Sequence, residues 1–184
     1  MNKSSNRNKS GPSNWEYHGQ KRPKFADKPK EGQESVWDYP RPPKLASDNR
    51  EILIIFANKI IARTTNAIRV LETGNPPAFY IPKTDINMDF LKKTPGVSRC
   101  EWKGEAIYWN VVIEDKLVER VAWSYPQPNQ EFSKIKSYIS FFPSKLFCYV
   151  NGEHVKPQPG GFYPGWITKE ITGPVRGESD ETYL

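Results

Sequence analysis

Apolar and polar positions alternate along most of the chain from residue 50 onward. In "EAIYWNVVI" (105–113), Ile107, Trp109, Val111 and Ile113 fall on one face and Ala106, Tyr108, Asn110 and Val112 on the other. That is the two-residue period of a strand. "EDK" makes a turn, and "LVERVAWSY" returns with Leu117, Val121, Trp123 and Tyr125 as inward candidates, until Pro126 and Pro128 stop it. "REILIIFANKIIART" reads as a hairpin turning at Ala57–Lys59, and "AIRVLE" and "AFYI" as short strands. "TGNPPAF" reads as a loop, because Gly74, Pro76 and Pro77 interrupt either regular structure. In "KTDINMDFLKK" the period changes: Ile86, Phe90 and Leu91 share one helical face behind a Thr84 or Asp85 cap, predicting a short helix that "TPGVS" ends. "NQEFSKIK" suggests a helical turn, and "SYISFF" and "KLFCYV" suggest strands. "VNGEHV" suggests a tight hairpin, because Asn-Gly supplies the positive φ angles of a type I′ turn.

About eight short strands and one or two short helices predict a mainly β fold: a single compact antiparallel β domain, a sandwich or an open barrel. Four regions are expected. Residues 1–34 read as a disordered basic arm and 35–49 as a Pro/aromatic strap pinned by Val36, Trp37 and Tyr39. Residues 50–170 form the β domain, and 171–184 a C-terminal tail within a Gly/Pro-rich end that wraps the surface.

Charge refines this picture. The 184 residues carry a formal charge of +6, of which residues 1–49 contribute +4 and the remainder +2. No run approaches the ~20 apolar residues of a membrane-crossing helix, and the polar N-terminus lacks the apolar segment of a secretory signal. These features predict a cytoplasmic protein with no membrane partner. Only Cys100, Cys148, His18 and His154 supply thiol or imidazole, at spacings that suggest no metal site, so the expected metal set is empty. Both cysteines are expected to be buried thiols.

Several segments together resemble a known family: "ESVWDYPRPP", "RVLETGNPPAFYIPKTDINMDFL", "CEWKGEAIYW", "AWSYPQP", "YISFFP" and "PQPGGFYPGW". Their order and spacing are similar to domain of unknown function family 427, small bacterial and fungal proteins. The resemblance covers roughly residues 34–170. It implies a compact, mainly β domain and no particular chemistry. The family is in places labelled nucleotidyltransferase-like, but this chain has no Gly-Ser pair followed by paired aspartates to hold two metal ions.

The residues themselves point to one rim. Glu72 ends a strand at a rigid loop and is a candidate acid/base or ligand anchor. Arg69 precedes it as a candidate ligand-binding residue, the alternative being a structural ion pair. Lys103, between Cys100 and Gly104, could hold an anion as a point charge or favour the Cys100 thiolate; the alternative is a solvated charge beside an inert thiol. Tyr108, Trp123 and Tyr125 would wall a pocket or simply build the core. Glu72, Lys103 and Cys100 are therefore the candidate catalytic residues, and Arg69, Tyr108, Trp123 and Tyr125 the candidate ligand-binding ones. The expected partner is a small anionic molecule. Nucleic acid, met by the basic arm and exposed aromatics, is the second choice, and a scaffold without ligand the third. Cofactor, oligomeric state and whether any reaction is catalysed stay open at the level of sequence.

Overall fold

The computed structural model describes residues 16–161 and 164–178. Its centre is a seven-stranded antiparallel sheet built from β2 (Lys44–Asp48), β5 (Ala67–Glu72), β6 (Asn75–Pro82), β7 (Leu91–Cys100), β8 (Gly104–Ile113), β9 (Lys116–Ser124) and β10 (Tyr138–Phe141). Their order is β2-β5-β6-β10-β9-β8-β7. A second sheet, in the order β12-β11-β3-β4, uses β3 (Ile52–Phe56), β4 (Lys59–Thr64), β11 (Phe147–Val150) and β12 (Glu153–His154). Two small pairs complete the described chain. β1 (Glu34–Ser35) runs parallel to β15 (Ile171–Thr172), and β13 (Lys156–Pro157) runs antiparallel to β14 (Trp166–Ile167).

One face of the large sheet buries Phe79, Ile81, Val111, Ile113, Val121, Ile139 and Phe141 against Ile52, Ile54, Ile61 and Cys148 of the small one. The domain is therefore mainly β, with two antiparallel sheets sharing a core. The opposite face of the large sheet is also apolar: Ile68, Val70, Tyr80, Ala106, Trp123 and Tyr125 pack there against Phe132 and Ile135 of a 3-10 turn at Gln130–Ile135. A strand apolar on both faces needs cover on both, and the second cover is only partial. The candidate site lies in what it leaves open.

Turn chemistry follows the sequence where backbone demands are strict. Ala57 and Asn58 carry φ of 48° and 58° between β3 and β4, and Asn151 and Gly152 carry 47° and 77° between β11 and β12. These are the left-handed pairs that a two-residue hairpin loop requires.

Four local expectations are corrected. Pro76 and Pro77 lie inside β6, not in a loop. The turn contracts to Thr73–Gly74, and the register shifts between Val70 and Glu72 to take up the irregularity. The expected helix at 83–93 is two 3-10 turns, Lys83–Asp85 and Met88–Phe90, followed directly by β7. Asp85 is drawn aside as acceptor for Thr64 Oγ1 at 2.6 Å, and Asn87 Oδ1 accepts from the Asp89 amide at 3.3 Å. Such local side-chain bonds compete with a continuous helix. β7 itself, expected to be a terminating loop, is an edge strand with a bulge between Thr94 and Val97; Pro95 is tolerated there because an edge needs fewer amide donors. Leu117, taken as inward, is exposed near the tip of the β8–β9 hairpin.

The ends are more integrated than composition suggests. Residues 1–15 of the expected arm fall outside the described residues. From residue 16 onward the arm is anchored rather than disordered: Tyr17 and Phe25 meet the buried Trp37 edge-on, and Arg22 pairs with Asp38. The aromatic pair on Trp37 supplies the apolar contact that a charge count overlooks. In the strap, Val36, Trp37 and Tyr39 are buried. The tail does more than wrap the surface. Trp166 is fully buried, tilted against Phe79 at 4.9 Å, and its Nε1 donates to the Phe141 carbonyl at 3.0 Å.

Candidate functional site

A cavity of about 570 Å³ opens on the second face of the large sheet. β5 and β6 supply Val70, Glu72, Ala78 and Tyr80; β8 supplies Ala106 and Tyr108; Trp123 and Tyr125 come from β9 and its end. The tail closes one side with Gln158, Pro164, Gly165 and Arg176. Gln158 pins that wall: its amide donates to Asn75 Oδ1 at 3.1 Å and the Arg176 carbonyl at 2.9 Å, and its Oε1 accepts from the Gly165 amide at 3.2 Å. A Cβ at Gly165 would sit 2.3 Å from that Oε1 and 2.9 Å from Pro76 Cδ, so a side chain here would displace Gln158 from its bonds and crowd the Pro76 ring.

Six of the seven residues singled out in the sequence line this cavity: Glu72, Cys100, Lys103, Tyr108, Trp123 and Tyr125. Arg69 does not. It sits one residue out of phase with Val70, on the other face of β5, where it pairs with Glu34 and lies 3.2 Å from Asp48. Arg69 is engaged in an ion-pair cluster away from this cavity.

Lys103 sits in the β7–β8 turn. Gly104, at φ +95°, reverses the chain beside it, and Asn129 clamps the turn: its amide donates to the Lys103 carbonyl at 3.2 Å and its Nδ2 to the Trp102 carbonyl at 2.7 Å. The lysine is only 8% exposed. Its Nζ lies 5.9 Å from the Tyr125 ring centroid and 5.8 Å from that of Phe132. Among the described residues it has no carboxylate partner. A lysine with so little exposed surface ordinarily has one, and here the two ring faces stand beside the ammonium instead.

Glu72 is committed differently. Arg41 of the strap donates to Glu72 Oε1 at 2.6 Å and to Glu101 Oε1 at 3.0 Å, with its guanidinium 5.7 Å from the Trp102 ring centroid. β5 and β8 are separated in the sheet order by three strands, yet one guanidinium spans from Glu72 to the β7–β8 turn. The sheet therefore curls around the cavity, and Glu72 is held as a paired carboxylate. Arg41 was not singled out in the sequence; the only signal was a charge embedded in the buried "WDYPRPP" strap.

The remaining rim is cationic. Arg99, Arg120, Lys145 and Arg176 join Lys103 on the lining, against Glu72 as the one acid among the described residues. The walls are apolar and mutually satisfied. Trp123 Nε1 donates to the Tyr80 hydroxyl at 3.0 Å, the Tyr108 hydroxyl shares a 2.7 Å hydrogen bond with Ser98 Oγ, and Phe142 stacks at a tilt on Trp123 at 4.6 Å. Burial, with the neighbouring hydroxyl and thiol, pushes the Tyr125 phenol far above its ordinary range. Burial likewise raises Tyr80, so both stay protonated donors. Cys148 is a buried thiol, raised by desolvation alone. Cys100, expected to be buried too, is instead half-buried on the cavity wall. Neither histidine lines the cavity. Among the described residues, no group of three or more His, Cys, Asp or Glu side chains could hold a metal ion. None of the helices among them is long and apolar enough to cross a membrane.

A family model described as "Domain of unknown function (DUF427)" matches residues 44–152. That span holds every lining strand and both Glu72 and Lys103; the strap bearing Arg41 and the tail bearing Gln158 and Arg176 lie outside it. No curated protein matches the chain.

Proposed function

The chain belongs to domain of unknown function family 427, and from the geometry of this member we propose that the cavity binds a small organic anion, with Lys103 as its main charge partner. The observation that carries this reading is Lys103, a cavity-lining residue only 8% exposed that has no carboxylate partner among the described residues. An incoming carboxylate or phosphate would supply the missing counter-charge in a partly desolvated site, where a charge-assisted hydrogen bond is strongest. Aromatic walls and a few convergent polar groups are the usual composition of such a site. If chemistry accompanies binding, it falls to Cys100, Lys103 and the tyrosine hydroxyls, because Glu72 is neutralised by Arg41.

The nucleic-acid reading draws less support. Arg22 of the arm is committed to Asp38, and Trp123 and Tyr125 line a cavity rather than an open sheet face along which a strand of bases could run.

The test is a melting-temperature panel of nucleotides with and without magnesium, metabolite phosphates, carboxylates and short oligonucleotides. A ligand present at ~100 times its Kd adds roughly 2.7 kcal/mol of stability. A small anion is expected to raise the wild-type Tm and to leave Lys103→Met unmoved. Stabilisation by oligonucleotides alone, abolished by salt, would transfer the reading to nucleic acid.

A further inference from the structure

We infer that the ligand of this cavity is an elongated dianion: a flat, apolar middle with an acidic group at each end. The inference rests on the anion-binding reading above and adds a second charged pole to it. Lys103 marks the first pole, at the start of β8. The second lies further along the same strand. Ala106 and then Tyr108 face the cavity at two-residue intervals, and the Arg120 guanidinium lies 4.0 Å from the Tyr108 ring centroid. Four residues of strand separate Gly104 from Tyr108, a backbone distance of ~14 Å.

Arg120 reaches that position through an irregularity. The β8–β9 register shifts between Trp109 and Val111, Arg120 adopts φ +49°, and Asn110 Oδ1 accepts its amide at 2.8 Å. Bulges of this kind re-aim a side chain, and a non-glycine residue in the left-handed region is held there by its surroundings. Arg120 has no carboxylate partner among the described residues. Lys145 reinforces the pole: its Nζ donates to the Glu119 carbonyl at 2.8 Å and lies 5.9 Å from the Phe142 centroid.

Between the poles the lining is largely ring and aliphatic surface, and its indole and two of its hydroxyls are already hydrogen-bonded within the wall. The Trp123, Tyr80 and Tyr108 polar atoms are engaged with one another or with Ser98. Ala106 lines the cavity between the poles, in the same apolar cluster as Trp123 and Tyr125, so a planar group lying along β8 would meet those rings. An aryl or conjugated segment meets ring faces here without hydrogen-bonding needs of its own.

Isothermal titration with biphenyl-4,4′-dicarboxylate, biphenyl-4-carboxylate and an alkane dicarboxylate of similar length tests this, with all proteins at one ionic strength. The aryl dicarboxylate is expected to bind wild type at least about tenfold tighter than the monocarboxylate, the effect of one added charged contact. Lys103→Met and Arg120→Met should each bring it down to the monocarboxylate's affinity, while Ala106→Leu, filling the middle, weakens both aryl ligands. Unchanged melting curves would certify that each variant folds. Equal affinity of the two aryl acids in wild type, an advantage that survives Arg120→Met, or an alkane diacid that binds as well as the aryl one would overturn the two-ended ligand. A monocarboxylate lost only in Lys103→Met would still leave the single-anion reading standing. Absence of any Lys103-dependent binding would remove both.

Discussion

Three side chains define the site at the scale of single residues, and each is defined by what it is bonded to. Glu72 and Lys103 look equivalent in the sequence, as charges near a loop, but Arg41 claims the first and, among the described residues, no acid claims the second. Removing Arg41 would strand Glu72 in a half-buried position. Arg41→Met is therefore expected to cost about 3 kcal/mol, the scale for breaking a largely buried pair. Denaturant unfolding of the single variants and of Arg41→Met/Glu72→Gln checks it, the double variant recovering part of the loss.

Asp48 gives a pH signature of its own. Burial pushes its carboxyl up, but hydrogen bonds from Arg50 and the charges of Arg50 and Arg69 outweigh this and hold it below its ordinary value. A depressed folded-state pKa contributes stability that is present above the unfolded value, near ~3.9, and is lost as pH falls through the folded one. Stability should thus decline below about pH 4, and Asp48→Asn should flatten that decline. A slope equal to wild type would contradict it.

Among the elements, the tail is the least expected. Composition marks "PGGFYPGW" as surface, yet Trp166 fills the core against Phe79 and ties to Phe141. Trp166→Ala should cost about 3–5 kcal/mol, seen as a lower urea midpoint at unchanged slope. Elements were legible wherever one face was buried and the turn had a backbone requirement: β3–β4 through Ala57 and Asn58, β8–β9 through its alternation, β11–β12 through Asn151-Gly152. They were illegible where that logic fails. β7 is an exposed edge with no apolar face to read, and β6 carries two prolines. At 83–93 a helical period coincided with residues whose side chains bond locally. The site divides the same way. Lys103, Glu72 and the aromatics stood out at strand ends. Arg120 depends on a bulge, and Arg41, Arg176 and Gln158 arrive from segments distant in sequence, contacts that no local pattern carries.

Across the whole molecule, one sheet serves two purposes. One apolar face holds the domain together against the second sheet, and the other, met among the described residues by a short 3-10 turn, the β7–β8 turn, Phe142 and the C-terminal segment, surrounds the cavity. Changes on the first face should alter stability without altering ligand affinity, and changes at Lys103 the reverse. Ile139→Val, on the buried face, is expected to cost about 1 kcal/mol with affinity for the panel's best ligand unchanged; calorimetry on the same samples reads both.

The most direct measurement is a crystal structure of the protein equilibrated with the anion that most raises its Tm. Density is expected inside the cavity, with an acidic oxygen within hydrogen-bond distance of Lys103 Nζ. Density confined to the outer surface, with the Lys103 ammonium still facing only the Tyr125 and Phe132 rings, would contradict it.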